Sequence, residues 1–262
     1  MELVEEYDSV NIFGVSIYRI TLKEVLKEIE TALKRKVGLT YGALDPNKLN
    51  LAYENKDFRH LYRSFDIVAP DATGTLLAAR ILGKRLGGQR LPGDILAPRL
   101  FNLAKRTEIN FYLLGAKRGI IKQAAKTLTC TYNWLNINGI HHGYFPTSGQ
   151  ENDRIVREIR DKGTDVVLVG MGSPKQEKWI VENSPRLPET VLITMGGYFD
   201  MIVDNVECYP PWVYKYKLNW LYRCFKEPVR LGPRYLIGIP KFFSRVLKQK
   251  RHGKKTYEVQ GE

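Results

Sequence analysis

The chain has 262 residues, 44% of them hydrophobic, enough for one large α/β domain or a domain with an appendage. Its net charge of +13 calls for an acidic partner: nucleic acid, an anionic membrane surface or a phosphorylated substrate. No apolar run approaches the ~20 residues that span a bilayer, and the acidic opening at Glu2, Glu5, Glu6 and Asp8 is unlike a secretory leader, so any membrane contact is expected to be peripheral.

Three cysteines, Cys130, Cys208 and Cys224, have no metal-ligand spacing and read as reduced packing thiols of a cytosolic protein. In chain order, Val10 to Ile17 is β-rich around Gly14 and is expected to form a hairpin or edge element. Thr21-Leu22-Lys23-Glu24 is a capping box, and Leu22, Val25, Leu26, Ile29 and Leu33 follow at helical spacing. Val37 to Leu44 reads as the next strand. Asp45-Pro46 then supplies an N-cap and a proline at the first helical position, with Asn47, Lys48 and Asn50 close behind. The carboxyl end of a strand is also where α/β proteins place ligand groups. Asp45 and Asn47 are therefore candidate substrate contacts, with a plain cap as the alternative.

Phe65 to Ala69 is a short strand, and a helix is expected from about Thr75 to Leu82. Between them lies Pro70-Asp71-Ala72-Thr73-Gly74. Asp71 stands beside a glycine that would admit a substrate, and its carboxylate reads as a general base, a cap or a ribose contact; Thr73 shares the loop. Gly83 to Gly93 is rich in glycine and basic residues. It reads as a mobile loop that brings Arg85 and Arg90 to phosphate, or as a solvated connection. Asp94 is expected to cap a helix running to about Arg106.

Ile109 to Leu114 is a strand, and Gly115 to Gly119 turns it into a helix over Ile120 to Leu128. Leu135 to Ile140 is another strand. The adjacent His141 and His142 are expected to point apart, which suits a loop or packing role better than a metal pair. Glu151 to Lys162 is an amphipathic helix. Asp165 to Val169 is a β-branched, nearly all-apolar run of the kind buried on both faces of a parallel sheet. Gly170 and Gly172 break it, and Pro174 is expected to open a helix with Ser173 as N-cap. Such a turn is an anion site, with Gly172, Ser173, Lys175, Gln176 and Glu177 where a ligand would lie. An ordinary βα turn is the alternative, since one Gly-x-Gly is weak. Thr190 to Met195 is the next strand; it ends in bare backbone at Gly196-Gly197, followed by Asp200.

Two strand–glycine turn–helix units, at Gly115 and Gly172, point to an α/β fold: a Rossmann-like, mostly parallel sheet flanked by helices. This catalytic domain is expected over residues 1–207. Residues 208–262 are expected to form a small helical basic C-terminal appendage, disordered from about 250, so that a chain cut near Cys208 would keep a folded core. From Tyr209 onward the segment is dense in aromatics, lysine and arginine, with Glu227 its only acid before Glu258. Leu218, Leu221, Tyr222 and Phe225 fall on one helical face, with Lys217, Arg223, Lys226, Arg230 and Arg234 nearby. That is the profile of an interfacial membrane segment; an RNA-binding tail and a helical cap packed on the sheet are the alternatives.

Several stretches, taken in order, resemble the WecG/TagA/CpsF glycosyltransferases of bacterial surface-polymer synthesis. They are Asp66-Ile-Val-Ala-Pro-Asp71 with Gly74 and Ala78-Ala-Arg80; Gln89-Arg90 with Gly93-Asp94; Phe111-Tyr-Leu-Leu-Gly115; Gly143-Tyr-Phe145; Val169-Gly-Met-Gly-Ser-Pro-Lys-Gln-Glu177; Gly196-Gly-Tyr-Phe-Asp200; and Trp220-Leu-Tyr-Arg223 with Glu227-Pro-Val-Arg230 and Arg234-Tyr235. The resemblance spans roughly residues 10 to 245. It implies an inverting enzyme, without metal or cofactor, that moves a sugar, of N-acetylmannosamine type or another hexose, from a UDP donor to a polyprenyl-diphosphate-linked sugar at the cytoplasmic membrane face. It implies that Asp71 is the base, that Arg90 lies near the phosphates and that Gln176 belongs to the nucleotide-sugar pocket. Arg223, Arg230 and Arg234 would sit in an appendage that covers the site and holds the lipid diphosphate. The expected partners are thus a UDP-sugar, the polyprenyl-diphosphate acceptor and an anionic membrane surface, with no nucleic acid; a monomer on the membrane and a homo-oligomer in solution are both open.

Two departures stand out. Ala43-Leu44-Asp45 replaces a frequent Thr-x-Asn, exchanging a donor-and-acceptor amide for an acceptor-only carboxylate, and Pro-Asp-Ala replaces Pro-Asp-Gly. No Asp-x-Asp metal clamp occurs in the chain, so arginines and helix N-termini are expected to meet the charge of the leaving diphosphate. Two rival readings remain: a non-catalytic RNA-binding protein, argued from charge and aromatics, and a nucleotide-dependent oxidoreductase, which lacks the Gly-x-Gly-x-x-Gly fingerprint.

Overall fold

A computed structural model describes residues 7–203, 232 and 236–253. The chain opens with a two-stranded hairpin, β1 (Ser9–Ile12) and β2 (Val15–Tyr18). Phe13 and Gly14 connect them, both at positive φ (54° and 83°), the pairing that a two-residue turn matched to strand twist demands. The body is a six-stranded sheet in the order β4-β3-β8-β7-β5-β6. Its strands are β3 (Leu39–Leu44), β4 (Ile67–Pro70), β5 (Asn110–Gly115), β6 (Asn136–His141), β7 (Val166–Gly170) and β8 (Val191–Thr194), and every pairing is parallel.

Side-chain alternation along the strands builds two cores. Leu44, Tyr112, Leu114, Val167, Val169 and Leu192 face one way; Tyr41, Ala43, Phe111, Leu113, Leu168 and Ile193 face the other. The first face is covered by the hairpin and by α2 (Pro46–Glu54), α3 (Lys56–Arg63), α4 (Thr73–Ile81), α7 (Gln150–Asp161) and α8 (Lys175–Asn183). The second is covered by α1 (Leu22–Arg35), α5 (Gly93–Leu103), α6 (Arg118–Thr131) and α9 (Tyr198–Val203). Covering both faces explains why the central strands are nearly uninterrupted apolar runs.

The local signals mostly act as expected. Thr21 and Glu24 form the capping box, with Thr21 N–H donating to Glu24 Oε2 at 2.7 Å and Glu24 N–H to Thr21 Oγ1 at 3.3 Å. Asp45 caps α2 through the N–H groups of Asn47 (2.8 Å) and Lys48 (2.9 Å). Three helix starts differ. The helix after Asp71 begins at Thr73, two residues earlier than expected, with Ala72 as its cap. Pro92, rather than Asp94, holds the cap position of α5, and Asp94 lies in its first turn. Pro174, after a cis Ser173–Pro174 peptide, holds the cap position of α8, so Ser173 is not the N-cap. Cys130 is exposed on α6 rather than packed.

The last described helix, α10 (Gly238–His252), lies within the segment read as an appendage and runs past residue 250. It is built into the first core: Phe242 and Val246 have no exposed surface, and Phe242 meets Phe13 edge-on at 5.8 Å. Gln249 closes the contact with the hairpin. Its Oε1 accepts from Phe13 N–H at 3.1 Å and its Nε2 donates to Asn11 O at 2.9 Å. On α2, Asn50 Nδ2 donates to Gly238 O (2.8 Å), Arg245 to Asn50 Oδ1 (2.9 Å) and to Glu54 (2.6 Å), and Lys241 to Glu54 (2.7 Å). A cut near Cys208 therefore strips core side chains, each contributing about 1.5–3 kcal/mol when buried, and would not leave an intact body. Arg223, Arg230, Arg234, Cys208, Cys224 and the Leu218 to Phe225 face lie outside the described residues, as does the tail beyond 253. Among the described residues no helix is long and apolar enough to cross a membrane.

Glu54 ties α10 to α2, and hydrogen bonds from Lys241 and then Arg245 hold its carboxyl below the ordinary value of 4.5. A lowered native value stabilises the fold above the ordinary carboxylate range and loses that effect as pH falls through the lowered value. Glu54→Gln should lower the melting temperature by roughly 1–3 °C at neutral pH. In melts repeated down the pH scale, the difference from wild type should vanish under acid conditions.

Candidate active site

Because the six strands are parallel, Leu44, Pro70, Gly115, His141, Gly170 and Thr194 all end at one edge. From β5 the chain moves outward to β6, whereas from β7 it moves to β8 on the other side. The chain paths after β5 and β7 therefore lead to opposite sides, which marks this edge as the candidate ligand crevice.

Asp71 lies half-buried at this edge. Its N–H donates to Leu44 O at 2.9 Å, which sets it beside Asp45 across the β4–β3 pair. The basic loop returns to the same place: Leu91 N–H donates to Pro70 O at 2.6 Å, and Tyr41 OH donates to Leu91 O at 2.5 Å. Arg85 and Arg90 are exposed on it. Burial raises the Tyr41 hydroxyl well above its ordinary value, and the Asp71 charge adds to this. Burial does the same to Tyr62, reinforced by Glu177, Asp45 and Asp71. Of these carboxylates Glu177 touches Tyr62 directly, accepting from its hydroxyl at 3.0 Å.

The turn after β7 is rearranged from the expected row of ligand-facing groups. Gln176 and Glu177 have no exposed surface. Gln176 Oε1 accepts from Gly196 N–H at 3.1 Å, and its Nε2 donates to Glu177 Oε1 at 3.0 Å. Ser173 is exposed, yet its Oγ donates to the same Glu177 oxygen at 2.7 Å. Lys175 Nζ donates to the carbonyls of Gly143 (2.8 Å) and Phe145 (2.6 Å). Burial lowers its pKa. These side chains fasten the turns to one another, and the buried amide of Gln176 spans from the β7–α8 turn to the β8–α9 turn.

The glycines separate into two kinds. A Cβ on Gly115 would stand 2.2 Å from Gly170 O, and one on Gly143 would stand 3.1 Å from Gly115 Cα. Both residues are small because backbone packs on backbone, so Gly115 is a packing position. Gly172, Gly196 and Gly197 would meet nothing within 4 Å and leave bare backbone open to a ligand. Asn47 is half-buried in the first turn of α2, while Thr73 and Asp200 are exposed in the first turns of α4 and α9.

His141 and His142 do not point apart. Strand alternation stops where β6 ends, and Gly143 turns the chain back to donate to Ala116 O at 2.8 Å. The two rings lie 4.4 Å apart, and with Glu151 they offer ligand atoms within 4.8 Å of one another. The guanidinium of Arg118 lies 3.4 Å from His142 Nε2. Burial, then His141 and Arg118, lower the pKa of His142.

Two residues of the crevice escape sequence reasoning as site residues. Lys48 Nζ lies 2.8 Å from Ala43 O and 3.6 Å from Glu177 Oε1; its only sequence signal is its position three residues after the Asp45 cap. Tyr62, whose hydroxyl donates to Glu177 at 3.0 Å, carries none, because its partner is 115 residues away.

The two kinds of glycine predict different mutants. Gly115→Ala overpacks the sheet edge and should cost ~1–3 kcal/mol or more, read as a large drop in melting temperature. Gly197→Ala meets open space and should melt like wild type while weakening substrate binding; unaltered binding would remove Gly197 from the site.

The sequence model of the glycosyl transferase WecG/TagA/CpsF family matches residues 10–256. An N-acetylglucosaminyldiphosphoundecaprenol N-acetyl-β-D-mannosaminyltransferase of Bacillus subtilis (strain 168) is 28% identical over 225 residues, 86% of this chain and 85% of that protein. A protein of the same name from Staphylococcus aureus (strain MW2) is 28% identical over 249 residues, 94% of this chain and 95% of that one. With matches of that extent, on a parallel α/β body that carries the matched turns along one edge, the chain belongs to the WecG/TagA/CpsF family and is a glycosyltransferase.

Proposed function

We propose that the enzyme transfers an N-acetylmannosamine-type sugar from a UDP donor to a polyprenyl-diphosphate-linked N-acetylglucosamine, by inverting single displacement without a metal, while peripherally attached to the cytoplasmic membrane face. The observation that carries the reading is the position of Asp71, half-buried at the crevice edge beside Asp45 and against the returning basic loop. The relatives' names supply the acceptor and the sugar.

In this mechanism the acceptor hydroxyl attacks the anomeric carbon as Asp71 removes its proton. The bond from that carbon to the diphosphate oxygen breaks, and its electron pair leaves with UDP. Arg90 and the N–H groups at Gly172 and Gly197 meet the negative charge, in the manner of other preorganised electrostatic sites. Asp45, committed to capping α2, orders the adjacent turn and keeps Asn47 at the rim. Arg223, Arg230 and Arg234 belong to the segment between α9 and α10. That segment follows Val203 at the end of α9 and precedes α10, whose Gly238 is held by Asn50 of α2. Its density of lysine, arginine and aromatic residues supports a role on the lipid diphosphate. A net charge of +13 suits two diphosphate substrates and an anionic bilayer.

Asp71→Asn should lower turnover on the order of 10²–10⁴-fold while UDP still raises the melting temperature, in EDTA as in excess Mg²⁺. Turnover near wild type would sink Asp71 as the base, and UDP stabilisation that disappears in EDTA would sink metal independence. Since α10 belongs to the core, the arginines are tested by substitution in the full chain. Arg223→Glu, Arg230→Glu and Arg234→Glu should each weaken turnover on lipid acceptor by about tenfold or more with the UDP melting shift unchanged.

A further inference from the structure

Glu177 is wholly buried, and its two oxygens are treated differently. Oε1 accepts from Ser173 Oγ (2.7 Å), Gln176 Nε2 (3.0 Å) and Tyr62 OH (3.0 Å), with Lys48 Nζ at 3.6 Å. Oε2 is buried with no hydrogen-bond partner among the described residues. These groups come from α2, α3, the β7–α8 turn and α8. Lys48 also donates to Ala43 O at the end of β3 (2.8 Å), and Gln176 carries the connection on to Gly196 N–H (3.1 Å). One carboxylate therefore joins three turns of the crevice: Asp45 after β3, Gly172 after β7 and Gly196 after β8.

Such a pair is a poor way to stabilise a fold. Desolvating two charges offsets much of their attraction, and neutral side chains of similar volume often hold a protein as well or better. A buried acceptor without a partner adds a further cost. Neutral replacements would lack a fixed charge and its directional bonds. The pair also meets Tyr62, whose hydroxyl donates to Glu177 at 3.0 Å, close to the β3 end where Asp71 N–H donates to Leu44 O.

We propose that Lys48 and Glu177 are positioning residues for the transfer, holding the turns at Asp45, Gly172 and Gly196 in one arrangement across the crevice through their charges rather than their bulk. The inference rests on reading this edge as the site of transfer and Asp71 as its base. Neither residue is assigned contact with substrate.

The test compares full-length Lys48→Met, Glu177→Gln and the double variant, measuring melting temperature, kcat and donor KM with UDP-N-acetylmannosamine and a lipid-linked N-acetylglucosaminyl diphosphate. Each single variant removes one side of the ion pair and should lower both stability and kcat. The double variant is neutral and similar in shape. It should recover the melting temperature to within about 2 °C while kcat stays at least about tenfold down and donor KM moves less than about threefold. Recovery of kcat together with stability, wild-type kcat in either single variant, or a double variant as unstable as the singles would overturn the proposal. Asp71→Asn run alongside keeps the readings apart: its activity bears on the base, and the double variant bears on the pair.

Discussion

Parallel pairing is the constraint from which this molecule's chemistry follows. Strands that all run one way deliver their chains to the same edge, so six turns and the starts of the following helices crowd into one rim. That rim must pack tightly and still leave room for substrate. Glycine resolves the conflict in two ways. Gly115 and Gly143 let adjacent turns touch through backbone, with Ala116 N–H bonded to Gly170 O at 3.0 Å. Gly172, Gly196 and Gly197 face open space instead. In a sequence the two kinds look alike, and only the neighbour that a Cβ would strike separates them.

The same distinction governs what was legible beforehand. Elements with a local cause were readable: the Thr21–Glu24 box, the Asp45–Pro46 start of α2, the apolar run of β7 and the hairpin about Gly14 each depend on residues a few positions apart. The carboxyl-edge position of Asp71 and Asp45 was readable for the same reason, since it needs only a strand end. The start of α8 was displaced because Pro174 was read as a first helical residue, whereas it holds the cap position itself; that of α5 was displaced because Asp94 was read as the cap, a position that Pro92 holds. Gln176 and Glu177 were read as ligand-facing because they are polar and follow a glycine turn. Their burial depends on Tyr62 and Gly196, 115 and 20 residues away. Polar residues at a helix start can point outward to a ligand or inward to a network, and spacing alone does not decide between them.

Electrostatics gives the crevice its character. Asp45, Asp71 and Glu177 share a small region with buried Tyr62, and like charges at close range oppose one another. Part of that repulsion is relieved by helix N-termini: Asp45 accepts two N–H groups of α2. Part is relieved by Lys48, 3.6 Å from Glu177. The abundant surface cations, Arg85 and Arg90 among them, stay in water on the loop above.

The C-terminal helix changes how the intervening basic segment must be regarded. Phe242 packs on Phe13, and Gln249 bonds to Asn11 of β1 and to Phe13 of the turn after it, so the first core is complete only when α10 has docked on the hairpin. α9 packs on the second face of the sheet and α10 on the first, where Asn50 and Glu54 of α2 receive it. Docking α10 against α2 thereby closes the first core, and it does so on the helix whose start is capped by Asp45.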